Sequence, residues 1–342
     1  MIPILYETNE TSFTSNGLGR LRDMISAVVT EERNSIYELD FEYPVSADDF
    51  GDIQIGRIVG VTHDESDDIQ PFDIVSFTRP IDGVVTFRAV HISYRQSKMT
   101  ASGTNINSLS GAFQMLKSAQ PSNPFNYWTN KTSTGLFAAA DGVPRSVRQM
   151  LGGSEGSILD CYGGEYEWDK WTVKLHLNRG QDTDVVIRYG KNLLDIEQET
   201  DESESYNAVA PYWESTDGQV VTLAAGMVVD QTHVTDRINC IPLNLSDKWE
   251  NPPTQQQLED AATDYLNSSD SWKIKNNLKI DFVALWQTPE YQDVAGLERV
   301  GLCDKVSVVH PLLGVSANKI QIIKVEYDVL KERYSSMELG SP

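Results

Sequence analysis

The feature that most constrains the fold of this chain is a strict alternation of apolar and acidic residues. In the segment SIYELDFEY, Ser35–Tyr43, large apolar side chains occupy every second position and carboxylates fill the positions between them. A period of two is that of a strand with one face buried and the other face in water. Similar runs recur along the chain, so we predict a mainly β protein.

Turn signals join these runs into antiparallel hairpins. The run before Glu32–Asn34 and the strand after it form one predicted hairpin. Two Asp-Gly dipeptides, Asp82–Gly83 and Asp217–Gly218, lie inside further hairpin patterns, and glycine favours such turns because it tolerates positive φ. Repeated hairpins with few helices indicate β-barrels or β-sandwiches.

Helical patterns are few. The segments Ser108–Ala119 and Pro144–Leu151 are short candidates. The strongest candidate is Thr254–Ser268, in which Thr254 and Gln257 match a capping box and apolar residues recur at helical spacing. We interpret that apolar stripe as core packing.

The charge of the chain argues against one class of function. The 342 residues include 50 acidic and 28 basic ones, a net charge of −22, with no cluster of lysine and arginine. Tight binding to nucleic acid needs such clusters, whereas an acidic surface lets DNA pass without holding it. No apolar run is long enough to span a membrane and the first residues lack a signal-peptide pattern, so we predict no membrane insertion.

No metal or cofactor site is predicted. Cys161, Cys240 and Cys303 are far apart and odd in number, which indicates neither a disulfide framework nor a zinc site. The acidic runs Asp64–Asp73 and Asp195–Glu204 are interpreted as solvated loops, and the first does not match the EF-hand pattern. Phosphate-binding and dinucleotide-binding glycine patterns are absent from the sequence.

Three residues are candidates for catalysis, and we predict that none is catalytic. Ser154 lies in GGSEG, but we expect a helix before it and a strand at Ser157–Tyr162 after it, the reverse of a nucleophile elbow. His310 precedes Pro311, and the end of a strand explains this position without chemistry. With Cys303 also predicted to be non-catalytic, we predict that the protein is not an enzyme.

Several motifs carry a resemblance to a known family. They are Gly163–Gly164–Glu165, Arg179–Gly180, the Tyr-Gly-Lys-Asn-Leu run at Tyr189–Leu193, and the late segment DKVSVVHPLLGV followed by YDVLKERYSSMELG. From about Gln149 to Gly340 the chain resembles the N-terminal region of siphophage tail-associated lysins, also called phage minor structural or prophage endopeptidase tail proteins. The resemblance is weaker in the first hundred residues.

The resemblance implies the fold of a phage tail hub, which has two β-barrel-like tube domains and a smaller α+β domain. Residues 1–98 with 182–226 are expected to form the first tube domain. Residues 99–181 are expected to form an α+β insertion. Residues 227–342, with the helix at 254–268, are expected to form the second tube domain.

The resemblance also implies a structural function in a phage or prophage virion. Three copies would form a ring, the baseplate hub, that mates with the hexameric distal tail protein at the tail tip and lets DNA pass without specific binding. The protein would be made in the cytoplasm of the bacterial host. Lytic activity in this family sits in C-terminal extensions, and we expect none here because the chain ends two residues after its last predicted strand.

Two other classes of function remain open from the residues. A cell-wall peptidase or muramidase would need a catalytic cysteine and histidine, or paired carboxylates, and no such motif is found. A carbohydrate-binding module could use Trp128, Trp168, Trp171 and Tyr166 as a stacking platform, although aromatic residues are also enriched in cores and interfaces.

Overall fold

The computed structural model describes residues 2–63, 68–78, 81, 83–120, 122–203, 205–215, 217–233, 237–269, 271–272, 275–282, 299–313 and 315–340. The chain divides into two units, the first formed by Met1–Glu197 with Lys279–Gly340 and the second by Gln198–Leu278. In the described part of the chain, no helix is long and apolar enough to cross a membrane.

The first strands confirm the alternating pattern. Along β4 the side chains of Tyr37, Leu39, Phe41 and Tyr43 are all at most 2% exposed, while the acidic residues between them face outward or are partly buried. Their burial gives the first unit an aromatic core, because each buried aromatic ring removes a large apolar surface from water. The strands are β1 (Ile4–Tyr6), β2 (Gly19–Arg20), β3 (Ser26–Glu32), β4 (Tyr37–Pro44), β5 (Ile58–Val61), β6 (Gln70–Thr78) and β7 (Val84–His91).

Residues 99–181, called the insertion here, mix short helices and strands. Its elements are β8 (Thr100–Ala101), α1 (Leu109–Ser118), β9 (Asn126–Thr129), β10 (Arg145–Ser146), α2 (Val147–Leu151), α3 (Ile158–Tyr162), β11 (Glu165–Asp169) and β12 (Thr172–His176). Strands β11 and β12 form an antiparallel hairpin, and β9 lies parallel to β12. This hairpin brings several motif residues to the main sheet.

The remaining strands and the helix α4 complete the first unit and build the second. They are β13 (Asp182–Arg188), β14 (Leu193–Asp201), β15 (Ala208–Glu214), β16 (Val220–Thr222), β17 (Val228–Val229), β18 (Cys240–Asn244), α4 (Gln255–Ser268), β19 (Lys275–Phe282), β20 (Lys305–His310), β21 (Val315–Asp328) and β22 (Arg333–Gly340). In the second unit, β15 to β18 form a four-stranded sheet, and Leu258 and Ala261 of α4 pack against its Trp213.

One large sheet joins the beginning of the chain to its end. Its strand order is β14-β19-β22-β21-β3-β4-β7-β6-β5-β1-β2, and β20 pairs with both β13 and β21. Strands β3 and β21 pair antiparallel where the two parts of the chain meet, and this pairing is called the seam here. It places Lys324 opposite Glu32 and Asp328 opposite Val28. The protein is mainly β, as predicted. Within the described residues the sheet is open, and no closed barrel is found.

Most predicted local elements are confirmed. The β3–β4 hairpin turns at Glu32–Asn34, and Gly218 has a φ of 88° in the turn between β15 and β16. Strands β6 and β7 pair as expected, although Asp82 of their predicted turn lies outside the described residues. The helices α1, α2 and α4 are present, and Thr254 and Gln257 form both hydrogen bonds of the capping box.

Two local predictions are wrong. Ser157–Tyr162 is not a strand, because Ser157 caps helix α3 by accepting a hydrogen bond from the Asp160 backbone nitrogen. Most of Asp195–Glu204 is strand β14 rather than a loop, although Glu204 lies outside the described residues. Of the other predicted loop, residues 64–67 lie outside the described residues and residues 70–73 begin β6.

The predicted division into two tube domains and an insertion stays a prediction. Strand β13 pairs with β20, which places residues 182–188 beside the last strands of the chain. The second unit, Gln198–Leu278, contains part of each predicted tube domain. Strands β19 to β22 pair into the sheet that holds β3, a contact between distant parts of the chain that local patterns do not encode.

Candidate functional site

Two of the motifs that carry the resemblance, Gly163–Gly164–Glu165 and Arg179–Gly180, meet at one buried polar cluster, called the junction here. Glu165 of the Gly-Gly-Glu motif accepts hydrogen bonds from the Gln321 side-chain nitrogen at 2.7 Å and from the Arg179 backbone nitrogen at 2.7 Å. Arg33 donates to the Gln321 side-chain oxygen and lies 3.7 Å from Glu165. The junction therefore joins the β3–β4 turn, the insertion and β21.

A buried ion pair extends the junction. The Arg179 guanidinium donates to both carboxylate oxygens of Glu31, at 2.6 and 3.3 Å, and to the Tyr166 carbonyl at 3.1 Å. Burial disfavours the charged guanidinium, but the Glu31 carboxylate outweighs burial and raises the pKa of Arg179. Losing either partner would leave a buried charge without compensation.

Two motif glycines permit the close approach of these segments. A Cβ atom on Gly180 would lie 2.1 Å from the backbone of Cys303, which no side chain allows. Gly164 has a φ of 118°, and a Cβ atom there would lie 2.6 Å from the His176 carbonyl oxygen. The motif glycines are thus explained by contact between backbones.

Asp304, from the late motif, connects two strand ends. Its carboxylate accepts hydrogen bonds from the backbone nitrogens of Gln181 at 2.7 Å and Gly301 at 2.8 Å. The Gln181 carbonyl in turn accepts from the Lys305 nitrogen at 2.9 Å. These bonds fix the start of β13 beside the start of β20.

His310 is the last residue of β20, as predicted, and it is buried. Its ring lies 4.4 Å, centroid to centroid, from the ring of Tyr189 in the Tyr-Gly-Lys-Asn-Leu motif. The Tyr189 backbone nitrogen donates to the Val309 carbonyl at 3.0 Å, which holds the two rings together. This contact gives His310 a packing role, and the absence of catalysis there stays a prediction.

The other two catalytic candidates lie on separate elements. Cys303 is 1% exposed, and burial raises the pKa of its thiol to about 12, so the thiol is protonated at neutral pH and a poor nucleophile. The exposed hydroxyl of Ser154 donates to the Gln149 carbonyl at 3.0 Å, at the end of α2. The absence of catalysis at these two residues stays a prediction.

A charged cavity of about 260 Å³ lies between the β11–β12 hairpin and the main sheet. Lys174 in its wall donates to Glu167 at 2.8 Å and contacts Asp169 at 2.9 Å. Burial opposes ionisation of both carboxyls, but the hydrogen bonds from Lys174 outweigh it and lower their pKa values. Among the described residues, no group of histidine, cysteine and acidic side chains is arranged to hold a metal ion.

Beside the cavity lies an aromatic stack with two histidines that sequence reasoning did not single out as a pair. The His63 ring nitrogen is hydrogen-bonded to the Tyr37 hydroxyl, and Tyr37 stacks on His91 at 4.5 Å. His91 is fully buried, its Nδ1 accepts from the Ser93 backbone nitrogen at 3.3 Å, and its Nε2 has no partner. Burial, with the nearby charges of His63 and Arg148, places the pKa of His91 well below its ordinary value.

The four candidate aromatic residues do not form one sugar-binding platform. Trp168 and Tyr166 are 5% and 1% exposed, and they stack on each other within the insertion. The Trp171 indole nitrogen donates a hydrogen bond to the Thr11 carbonyl at 2.9 Å. This bond attaches the turn of the β11–β12 hairpin to the loop between β1 and β2. Trp128 alone is substantially exposed, at 46%.

Comparison with known proteins gives the fold a context. No protein-family model and no curated protein sequence matches the chain. Solved structures do match: prophage tail protein gp18 from Listeria monocytogenes EGD-e (TM-score 0.64, 12% identity, 100% of this chain and 95% of that one), a tail protein from Neisseria meningitidis MC58 (0.60, 11%, 99% and 96%) and the 43 kDa tail protein of prophage MuSo2 from Shewanella oneidensis (0.63, 11%, 99% and 97%).

The chain has the fold of prophage tail proteins. The similarity spans nearly the whole of this chain and of each neighbour, so it includes the main sheet and the second unit. At 11–12% identity the similarity establishes the fold and leaves the function to be argued.

Proposed function

We propose that this protein is a structural component of a phage or prophage tail tip, the baseplate hub, and that it is not an enzyme. Three copies close into a ring that mates with the hexameric distal tail protein. The two halves of the main sheet, β1 to β7 and β13 to β14 with β19 to β22, act as two tube domains in each copy and give the ring a pseudo-sixfold arrangement.

The observation that carries this proposal is the shared fold, which extends over 99–100% of the chain in three tail proteins. The junction supports it in a second way. Glu165 and Arg179, two of the motif residues that resemble the tail-associated lysin family, join the insertion to Glu31 and Gln321 in the two halves of the sheet. A protein that transmits force between rings needs such joints more than it needs a catalytic cleft.

The charge of the chain suits a channel for DNA. A ring lined by carboxylates would repel phosphate at contact distance and let the duplex slide, whereas a basic lining would hold it. With a net charge of −22 per copy, we expect carboxylates from Asp64–Asp73 or Asp195–Glu204 at the hole or the rim. The assembled protein would lie in the virion tail tip after synthesis in the host cytoplasm.

The test is assembly of the purified chain with the distal tail protein of the same phage. Sedimentation velocity should give a three-copy species, and negative-stain images should show a ring with a central hole. The same preparation should leave peptidoglycan intact in a turbidity assay.

A stable monomer or a two-fold dimer under these conditions would argue against the hub. Hydrolysis of peptidoglycan would favour the cell-wall enzyme, and saturable binding of cell-wall polysaccharide that Trp128→Ala abolishes would favour a carbohydrate-binding module.

A further inference from the structure

The two strands that end the main path of the large sheet, β2 and β14, carry opposite charge in a strongly acidic protein. An end strand presents unpaired backbone groups, and it is a place where another chain can add to the sheet. In this sheet β2 and β14 end the main path of strands, and β13 ends the branch that runs through β20. The exposed side chains of these strands therefore affect whether and how two copies of the chain bind each other.

The β2 end is basic. Arg20 and Arg22 are both exposed, and neither has an ion-pair partner among the residues that the structure describes. Asp23 is the acidic residue nearest in sequence. Leu18, immediately before the strand, is 44% exposed, which adds an apolar contact to the same edge.

The β14 end is acidic. Asp195 and Glu197 are exposed, and within the described ranges neither has an ion-pair partner. Among the described residues, the Asp195 carboxylate accepts a hydrogen bond only from the neighbouring Ile196 backbone nitrogen, at 2.9 Å. Leu194 is 70% exposed beside them. Each end thus offers one exposed leucine and a pair of charges, positive at β2 and negative at β14.

We propose that the β2 end of one copy binds the β14 end of the next copy, with Arg20 and Arg22 facing Asp195 and Glu197. This inference rests on the proposed ring and names the surfaces that close it. Because the two ends differ, the contact is heterologous, and repetition around an axis closes it into a ring. Opposite charges at the ends favour this order of subunits, since like ends would repel one another.

Charge reversal tests the contact. The variant R20E/R22E and the variant D195K/E197K should each sediment as a monomer at concentrations where the wild type is assembled. A chain that carries all four substitutions has restored complementarity and should assemble again. The matched control is E259K/D260K, which changes the net charge as D195K/E197K does but lies on the exposed side of α4, and it should assemble like the wild type.

The outcomes separate this inference from the function on which it rests. If the wild type forms the ring and both reversed variants form it equally well, the pairing of β2 with β14 is wrong and the hub stands. If all four substitutions together fail to restore assembly while circular dichroism shows an intact fold, the pairing is also wrong. If the wild type forms no ring with its tail partner, the ring and the pairing are both overturned.

Discussion

His91 places a titratable ring where water does not reach. Its Nδ1 lies within hydrogen-bond distance of the Ser93 hydroxyl, at 3.0 Å, and of the Ser93 backbone nitrogen, at 3.3 Å, and its Nε2 is buried without a hydrogen-bond partner. A buried polar group of this kind costs about 1–3 kcal/mol. The stacking with Tyr37 and the edge contact with Phe72 offset part of that cost.

We expect His91→Phe to make the stability less dependent on pH. In the folded protein the pKa of His91 lies well below 6.5, whereas in the unfolded chain it is ordinary, so the unfolded state binds the proton first as the pH falls. Wild-type stability should therefore decrease as the pH falls below about 6.5. Urea unfolding at pH 7.5 and pH 5 measures this loss. An equal loss in H91F would exclude His91 as its source.

His310 should contribute to the stability of the fold and not to assembly or catalysis. We expect His310→Ala to lower the free energy of unfolding by about 1–2 kcal/mol, because the contact with the Tyr189 ring is lost, and to leave assembly unchanged. Urea unfolding and sedimentation of the same sample measure the two effects. The packing role is wrong if the wild type hydrolyses peptidoglycan and H310A loses that activity with its fold intact.

At the scale of elements, the backbone at Gly180 lies so close to the backbone of Cys303 that no side chain fits between them. We expect Gly180→Ala to destabilise the protein by at least about 2 kcal/mol, because its Cβ atom would lie 2.1 Å from the Cys303 backbone. Gly51→Ala is the matched control, since a Cβ atom there meets nothing within 4 Å, and it should change stability by less than about 0.5 kcal/mol. Equal urea midpoints for the two variants would contradict this account.

The elements that sequence reasoning predicted correctly have their signals within a few residues. The alternation in β4 and the capping box of α4 are examples. Strand β14 was missed because its acidic residues obscure the pattern. Glu165 and Arg179 belong to predicted motifs, but their contacts with Gln321 and Glu31 were not predicted, since these pairs are 156 and 148 residues apart. Local patterns contain no information about such a contact.

At the scale of the whole molecule, net charge should control assembly. Each copy carries −22, so copies repel one another over a distance of about 30 Å at 0.01 M salt but only about 8 Å at 0.15 M. We expect ring formation to strengthen between these salt concentrations, because long-range repulsion is screened before contacts between neighbouring side chains are lost. Sedimentation velocity across the series measures the assembled fraction, and a fraction that falls steadily with added salt would contradict this.

The pairing of β3 with β21 can form only late in synthesis of the chain. Strand β3 is complete early in synthesis, but its partner β21 follows about 300 residues later. At roughly 5–20 residues per second, the ribosome needs about 15–60 s to supply that partner. During this interval one edge of β3 stays uncovered on the nascent chain, where it can pair with the same edge of another chain. Slow translation of the second half would therefore lower the yield of folded protein, even though every residue of the finished chain is unchanged.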